Sequence, residues 1–204
     1  MSKAYQVVKD FEEEIAQWSG AKYGVAVSSC CNAIFLCLKY IYQEGIEFSV
    51  HIPKHTYPGV AMAIHNAGGR VFFDNNRWRG IYYLRNCKIV DSALRFKMSM
   101  YIPRTYYCLS FHYKKHLPIG RGGMVLTDDH SAVEWLKKAR WDGRSPDVPL
   151  NNDNAEIVGW NMYMTPEQAS RGLVLFDTIK EKKLDDLPVD KQNYPDLSTW
   201  RCFQ

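Results

Sequence analysis

Apolar residues recur at helical spacing near the N-terminus. Val7, Val8, Phe11, Ile15 and Trp18 mark one face of a helix, and Gly20 follows as its stop. The pattern then contracts to a short buried run, Gly24–Val27, which reads as a strand. Ser28–Asn32 opens a second helix whose apolar side is Ala33, Ile34, Leu36, Cys37, Leu38 and Ile41. Val50–Pro53 predicts a strand, Pro58–Ala67 a helix, Gly68–Gly69 a turn and Arg70–Asp74 another strand. Ile81–Leu84 and Lys88–Asp91 are two more short strands, and Thr105–Phe111 and Gly123–Thr127 flank a polar loop. Asp129–Trp141 and Thr165–Lys182 carry helical patterns, the second with Thr165 as N-cap and Pro166 at the first helical position. Lys180–Lys183 are expected on its solvated face. Asp142–Asn154 is rich in Asp, Asn, Pro and Gly and reads as a mobile loop.

Strands alternating with helices predict an α/β domain, layered around a mostly parallel sheet. That domain is expected over residues 1–185. Residues 186–204 show little periodicity and are expected as a short C-terminal tail. The chain has 204 residues, enough for one substantial core. The net charge of +4 is mild and its basic residues are scattered, which argues against a nucleic-acid surface. No apolar run approaches the roughly 20 residues that span a bilayer. Six cysteines show neither a CxxC pair nor zinc spacing, which points to reduced thiols, no metal centre and a cytoplasmic protein.

The segment SFHYKKHLPIGRGG, residues 110–123, carries the candidate chemistry. A lysine just beyond a buried strand, in a glycine-bounded loop, can lose its charge by desolvation and become a nucleophilic amine. Such lysines form Schiff bases with carbonyl compounds and with pyridoxal phosphate. Alone, the pattern is better explained as a strand end flanked by solvated lysines.

Four further segments change that balance. FEEEIAQWSGAKYGVAVSSCCNA (11–33), HIPKHTYPGVAMAI (51–64), KIVDSA (88–93) and GWNMYMTPEQASRGLVLF (159–176) stand in order around the lysine segment. Together the set resembles the DegT/DnrJ/EryC1/StrS family of aminotransferases over about residues 5–185. The resemblance implies the large domain of a fold-type-I pyridoxal-phosphate transferase, a three-layer α/β/α sandwich, with a reduced C-terminal part. It implies pyridoxal 5′-phosphate as cofactor and a homodimer with shared active sites. It also implies transfer of an amino group from an amino acid, glutamate above all, to a keto sugar that is nucleotide-linked. A cofactor-binding protein without turnover, acting as partner or regulator, and an α/β binding protein without the cofactor are the alternatives.

The same resemblance distributes roles. Lys115 stands at the Schiff-base position, five residues after Ser110 and seven before Gly122, with Lys114 as its rival. Asp91 would pair with the protonated pyridine nitrogen, although a strand-ending turn aspartate explains it equally well. The helix opening at Cys30, Cys31 and Asn32 would hold the phosphate through its amides, with Ser110 as second phosphate ligand. Cys30–Cys31 replace the usual Gly-Thr, and Asn32 could supply the missing donor. Tyr57 would stack on the pyridine ring. Asn161 would reach the phosphate in the neighbouring subunit. Leu94, Arg121 and Tyr163 depart from the family pattern.

Overall fold

The computed structural model describes residues 3–42, 45–189 and 193–204. The first helix, α1 (Gln6–Ser19), buries Val8, Phe11, Ile15 and Ala16, and Gly20 ends it in the left-handed region at φ 82°. Strand β1 (Tyr23–Val27) leads into α2 (Cys30–Ile41), whose N-cap Ser29 accepts the Asn32 amide at 3.1 Å. Next come β2 (Ser49–Pro53), α3 (Pro58–Asn66), β3 (Arg70–Asp74), β4 (Tyr82–Leu84) and β5 (Ile89–Asp91). Then β6 (Tyr106–Ser110), β7 (Gly123–Thr127), α4 (His130–Ala139) and α5 (Pro166–Asp177) complete the frame. Asp129 caps α4, and Thr165 with Gln168 forms a capping box on α5.

Five strands pair in the order β1-β7-β6-β5-β4, and β2 pairs with β3. A bridge between His51 and Arg85 joins the two sets. Alternate side chains divide between two cores. Val25, Val27, Cys108 and Val125 face α2, α3 and α4, whereas Ala26, Tyr107, Leu109 and Met124 face α1 and α5. This is the expected three-layer α/β/α sandwich.

The sheet is mixed where the alternation of elements predicts mostly parallel strands. β2/β3 and β5/β6 are parallel, while β1/β7, β6/β7 and β4/β5 are antiparallel. Chain length explains the difference. Only Arg85–Lys88 connect β4 to β5, and so short a link can close a hairpin but not a parallel crossover. Asn86 supplies the tight turn at φ 73°.

Other expectations change in detail. Helix α5 ends at Asp177, and the amide of Ile179 bonds Phe176 in a tighter turn. Lys180–Lys183 therefore lie beyond the helix instead of along its face. The Asp142–Asn154 stretch is irregular with one 3-10 turn at Leu150–Asn152, and the Gly143 amide pins its start to Lys138 at 3.0 Å. The C-terminal tail is docked. Leu197 is fully buried in the core on the α2 side, its amide bonds the Lys54 carbonyl at 2.9 Å, and Asp196 pairs with Lys54 at 2.8 Å. Among the described residues no helix is long and apolar enough to cross a membrane.

β1 is an edge strand, so the backbone groups on its open side need partners. Glu12 and Arg140 provide them at Ala26. The Glu12 carboxylate accepts the Ala26 amide at 2.7 Å, and the Arg140 guanidinium bonds both Glu12 and the Ala26 carbonyl. Both side chains are about 95% buried, at 5% and 4% exposure. Replacing Glu12 with Ala leaves a buried cation and a buried amide unpaired. The expected cost is about 3–5 kcal/mol, read as a lower urea midpoint against wild type.

Candidate active site

β1, β2, β5 and β6 all end at one rim of the sheet, and the residues that follow or close them line a cavity of about 810 Å³. Sheet crevices outside the carboxyl ends of strands are the usual ligand sites of α/β folds. Asp91 is the last residue of β5 and Ser110 the last of β6. The loop between β6 and β7 carries Lys115 into the same space.

Lys115 and Lys114 both line the cavity, but their environments differ. Lys114 is exposed, its ammonium 5.7 Å from the Tyr113 ring centroid. Lys115 is half-buried, and its amide closes a turn onto the His112 carbonyl at 2.9 Å. Burial pulls the Lys115 amine below the ordinary lysine range, against the opposing attraction of Asp91. A lysine with such an amine is suited to nucleophilic and proton-transfer work.

Asp91 is 3% exposed. Its Oδ1 accepts the Ala93 amide at 2.9 Å, and the Tyr82 hydroxyl also hydrogen-bonds its carboxylate. That hydroxyl in turn meets Thr56 Oγ1 at 2.8 Å. Burial pushes the carboxyl above its usual range, with the Ala93 amide, Tyr82 and Lys115 opposing. Among the described residues no cation stands within ion-pair distance of Asp91. A buried carboxyl of this kind, facing a cavity, matches a ligand that brings its own positive charge, such as a protonated pyridine ring.

The turn between β1 and α2 presents Ser29, Cys30 and Cys31 to the cavity. It also presents the unpaired amides of a helix N-terminus, a natural anion cradle. β7 passes so close that a Cβ on Gly123 would stand 2.5 Å from the Cys30 nitrogen. Arg121 Nε donates to the Ser28 carbonyl at 3.2 Å and ties the lysine loop to this turn. Burial pushes the Cys30 thiol well up and the Cys31 thiol up to about 12. Both stay neutral at physiological pH and neither is an activated nucleophile.

Not every expected residue reaches the cavity. Asn32 donates from Nδ2 to Ser28 Oγ at 2.8 Å and does not line it. Asn161 is exposed elsewhere, its Nδ2 3.4 Å from Asp142 Oδ2. Tyr57 does line the wall, 57% exposed, with its ring open to the space. Leu94 is buried in the core and half-buried Tyr163 packs with its ring centroid 4.1 Å from that of Trp141, so neither lines the cavity. Sequence reading missed Thr56, Tyr82 and Tyr194. Tyr82 stands opposite Asp91 only because β4 and β5 form a hairpin. Tyr194 enters from the docked tail, where no periodicity announces it.

Fold and cavity define an α/β protein with a ligand crevice at the carboxyl ends of its strands, faced by a half-buried lysine and a buried carboxyl. The chain belongs to the DegT/DnrJ/EryC1/StrS aminotransferase family, whose profile matches residues 1–77 and 104–185. A curated relative is the spore coat polysaccharide biosynthesis protein SpsC of Bacillus subtilis (strain 168), 26% identical over 88% of this chain. This chain spans 57% of that relative's length. The fold is similar to that of Helicobacter pylori PseC, an aminotransferase involved in the biosynthesis of pseudoaminic acid, with a TM-score of 0.69. Identity there is 15%, over 87% of this chain and 58% of PseC. It is likewise similar to 3-amino-5-hydroxybenzoic acid synthase, with a TM-score of 0.70 and 18% identity over 85% of this chain and 56% of that one.

The Asp91 environment has a stability consequence. Its folded-state pKa is raised, so the folded protein holds the proton more tightly than the unfolded chain. Its stabilising contribution is complete below the unfolded value of about 4 and is lost as pH rises through the folded value. In protein free of added cofactor, Asp91→Asn should therefore gain stability relative to wild type as pH rises from 4 to 7. Paired urea titrations at the two pH values check the sign.

Proposed function

We propose that this chain is a pyridoxal-phosphate-dependent aminotransferase. It passes an amino group from an amino acid such as glutamate to a keto sugar, nucleotide-linked, in polysaccharide or related sugar biosynthesis. One observation carries the reading: a half-buried lysine with a weakened proton affinity and a buried carboxyl without a cation share one cavity beside a helix N-terminus. The family membership and the relatives' printed functions support it.

Pyridoxal phosphate, when bound, supplies the electron sink that lets a proton leave the donor's α-carbon. The chain's residues do the rest. The amides of Cys30 and Cys31, with Ser110, would hold the phosphate, and Tyr57 would face the ring. Asp91, braced by Tyr82 and the Ala93 amide, would pair with the ring nitrogen. Lys115 would hold the cofactor, and its lowered proton affinity suits its amine to take up and give back a proton at the donor's α-carbon. Asn161, remote from its own cavity, serves the site of a second copy, so the working unit is a homodimer. Free thiols throughout fit a reducing, cytoplasmic setting.

Borohydride reduction with added pyridoxal phosphate, followed by peptide mapping, should fix the cofactor on Lys115. An adduct on Lys114, or none, counts against the reading. Lys115→Ala should slow the glutamate half-reaction by about 10²–10⁴-fold, with Lys114→Ala close to wild type, followed by stopped-flow absorbance. Sedimentation velocity should show a dimer. A monomer that binds cofactor at full strength would sink the shared-site assignment.

A further inference from the structure

Tyr194 lines the lysine cavity, although it belongs to a segment outside the matched ones. The local sequence puts it there. Asn193 takes the left-handed region at φ 50°, and Pro195 keeps the residue before it out of the helical region. Tyr194, extended between them, brings its ring to the same wall as Asp91, Cys30, Cys31 and Tyr57.

The backbone behind that ring is fixed. Leu197 is fully buried, and its amide bonds the Lys54 carbonyl at 2.9 Å. Asp196 pairs with Lys54 at 2.8 Å and accepts the Ser198 amide at 3.1 Å. Phe203 meets the Phe73 ring with centroids 5.5 Å apart. The Tyr194 side chain is held far less. Its ring lies parallel to that of Trp78 with centroids 6.2 Å apart, and among the described residues its hydroxyl has no hydrogen-bond partner. A docked backbone carrying a loosely held ring is a hinge, because a change of rotamer moves the ring without undocking the segment.

What the ring faces gives the hinge a role. Burial first, and then the charge of Asp91, push the Tyr194 hydroxyl above the ordinary tyrosine range, with Cys30, Tyr57 and Cys31 acting in the same sense. The phenol is therefore neutral and stands among the groups assigned above to the cofactor's ring and phosphate. An aromatic ligand that reaches Asp91 needs the same space.

We propose that Tyr194 is the gate of the lysine cavity: its ring rests across the approach to Asp91 and Lys115, and an aromatic ligand enters only when that ring swings away on the docked segment. The inference rests on the aminotransferase reading for which aromatic aldehyde is admitted, but not for the gate itself. Gating of this kind selects by size. A planar ring must wait for the open position, whereas a one-carbon aldehyde passes beside the phenol.

The experiment is reductive labelling of the full chain with cyanoborohydride and either pyridine-4-carbaldehyde or formaldehyde, the rate being read at Lys115 by peptide mapping. Each aldehyde forms an imine on the amine with loss of water, and hydride from the reagent reduces it. Tyr194→Ala should speed labelling by the aromatic aldehyde about tenfold, the effect of a closed position that leaves about a tenth of the molecules open. Labelling by formaldehyde should not change, and neither should labelling of the exposed Lys114. Tyr194→Phe keeps the ring and should follow wild type. Unchanged aromatic labelling in Tyr194→Ala overturns the gate. So does slower labelling, which makes Tyr194 a wall that holds the ligand, and so does an equal rise with both aldehydes, which marks a change in the amine itself. A rise in Tyr194→Phe equal to that in Tyr194→Ala also overturns it. Pyridoxal phosphate, fixed by borohydride, is the third probe. If it fails to reach Lys115 in wild type and Tyr194→Ala alike while pyridine-4-carbaldehyde responds to the ring, the aminotransferase reading falls and the gate stands. If it is taken up on Lys115 and the aromatic rate ignores the ring, the gate alone falls.

Discussion

The buried pair Glu12–Arg140 is the contact on which the frame rests. An edge strand inside a three-layer fold has backbone groups that neither water nor a neighbouring strand can reach. Glu12 comes from the helix on one face of the sheet and Arg140 from the end of a helix on the other. They meet at the backbone of Ala26 and close the sheet edge between the two cores. The strand they clamp leads directly into the turn at Ser29 and Cys30. An ion pair on the sheet edge thereby fixes where the cavity-lining turn before α2 begins.

The cavity works on a second tension. Asp91 and Lys115 are both penalised by burial, in opposite senses, and each partly relieves the other through the space between them. Neither has the tight salt bridge that would satisfy it outright. Arg140 is neutralised by a carboxylate, and Asp186 by a guanidinium, because their work is structural. The two groups that face the cavity are left short of partners, which is what a site needs if binding is to supply the missing interaction. Tyr82 and Thr56 keep the carboxyl oriented while it waits.

Much of this was legible in the sequence, for a physical reason. Strand ends are visible as the point where burial gives way to polarity, whereas Lys115, Asp91, Ser110 and Cys30–Cys31 were singled out by the family resemblance, and the structure brings them to one cavity. Helix starts were equally plain, since Ser29, Asp129 and Thr165 are short-range caps. What escaped depends on pairing between distant or reversed segments. The direction of β4 follows from a short loop, not from composition. Tyr82 looked like any strand tyrosine until that hairpin placed it against Asp91. Leu197 and Tyr194 gave no periodic signal because a docked extended segment has none to give. Lys180–Lys183 looked helical because charge alone cannot show that backbone bonds have already tightened at Ile179.

The β4–β5 hairpin is a local pairing, and the rest of the sheet is not. Tyr82 and Asp91 pair across a four-residue link, and hairpins close in about 1–10 μs. The β1/β7 pairing joins Tyr23 to Thr127, and so long a loop carries a far larger closure entropy before its contacts form. The acid and its hydroxyl partner can therefore meet while still bathed in water, where a carboxylate costs nothing to ionise. Only packing against β6 and the lysine loop strips that water away. The chemical readiness of Asp91 therefore comes from the long-range contacts that bury it, and its alignment with Tyr82 from the short-range hairpin.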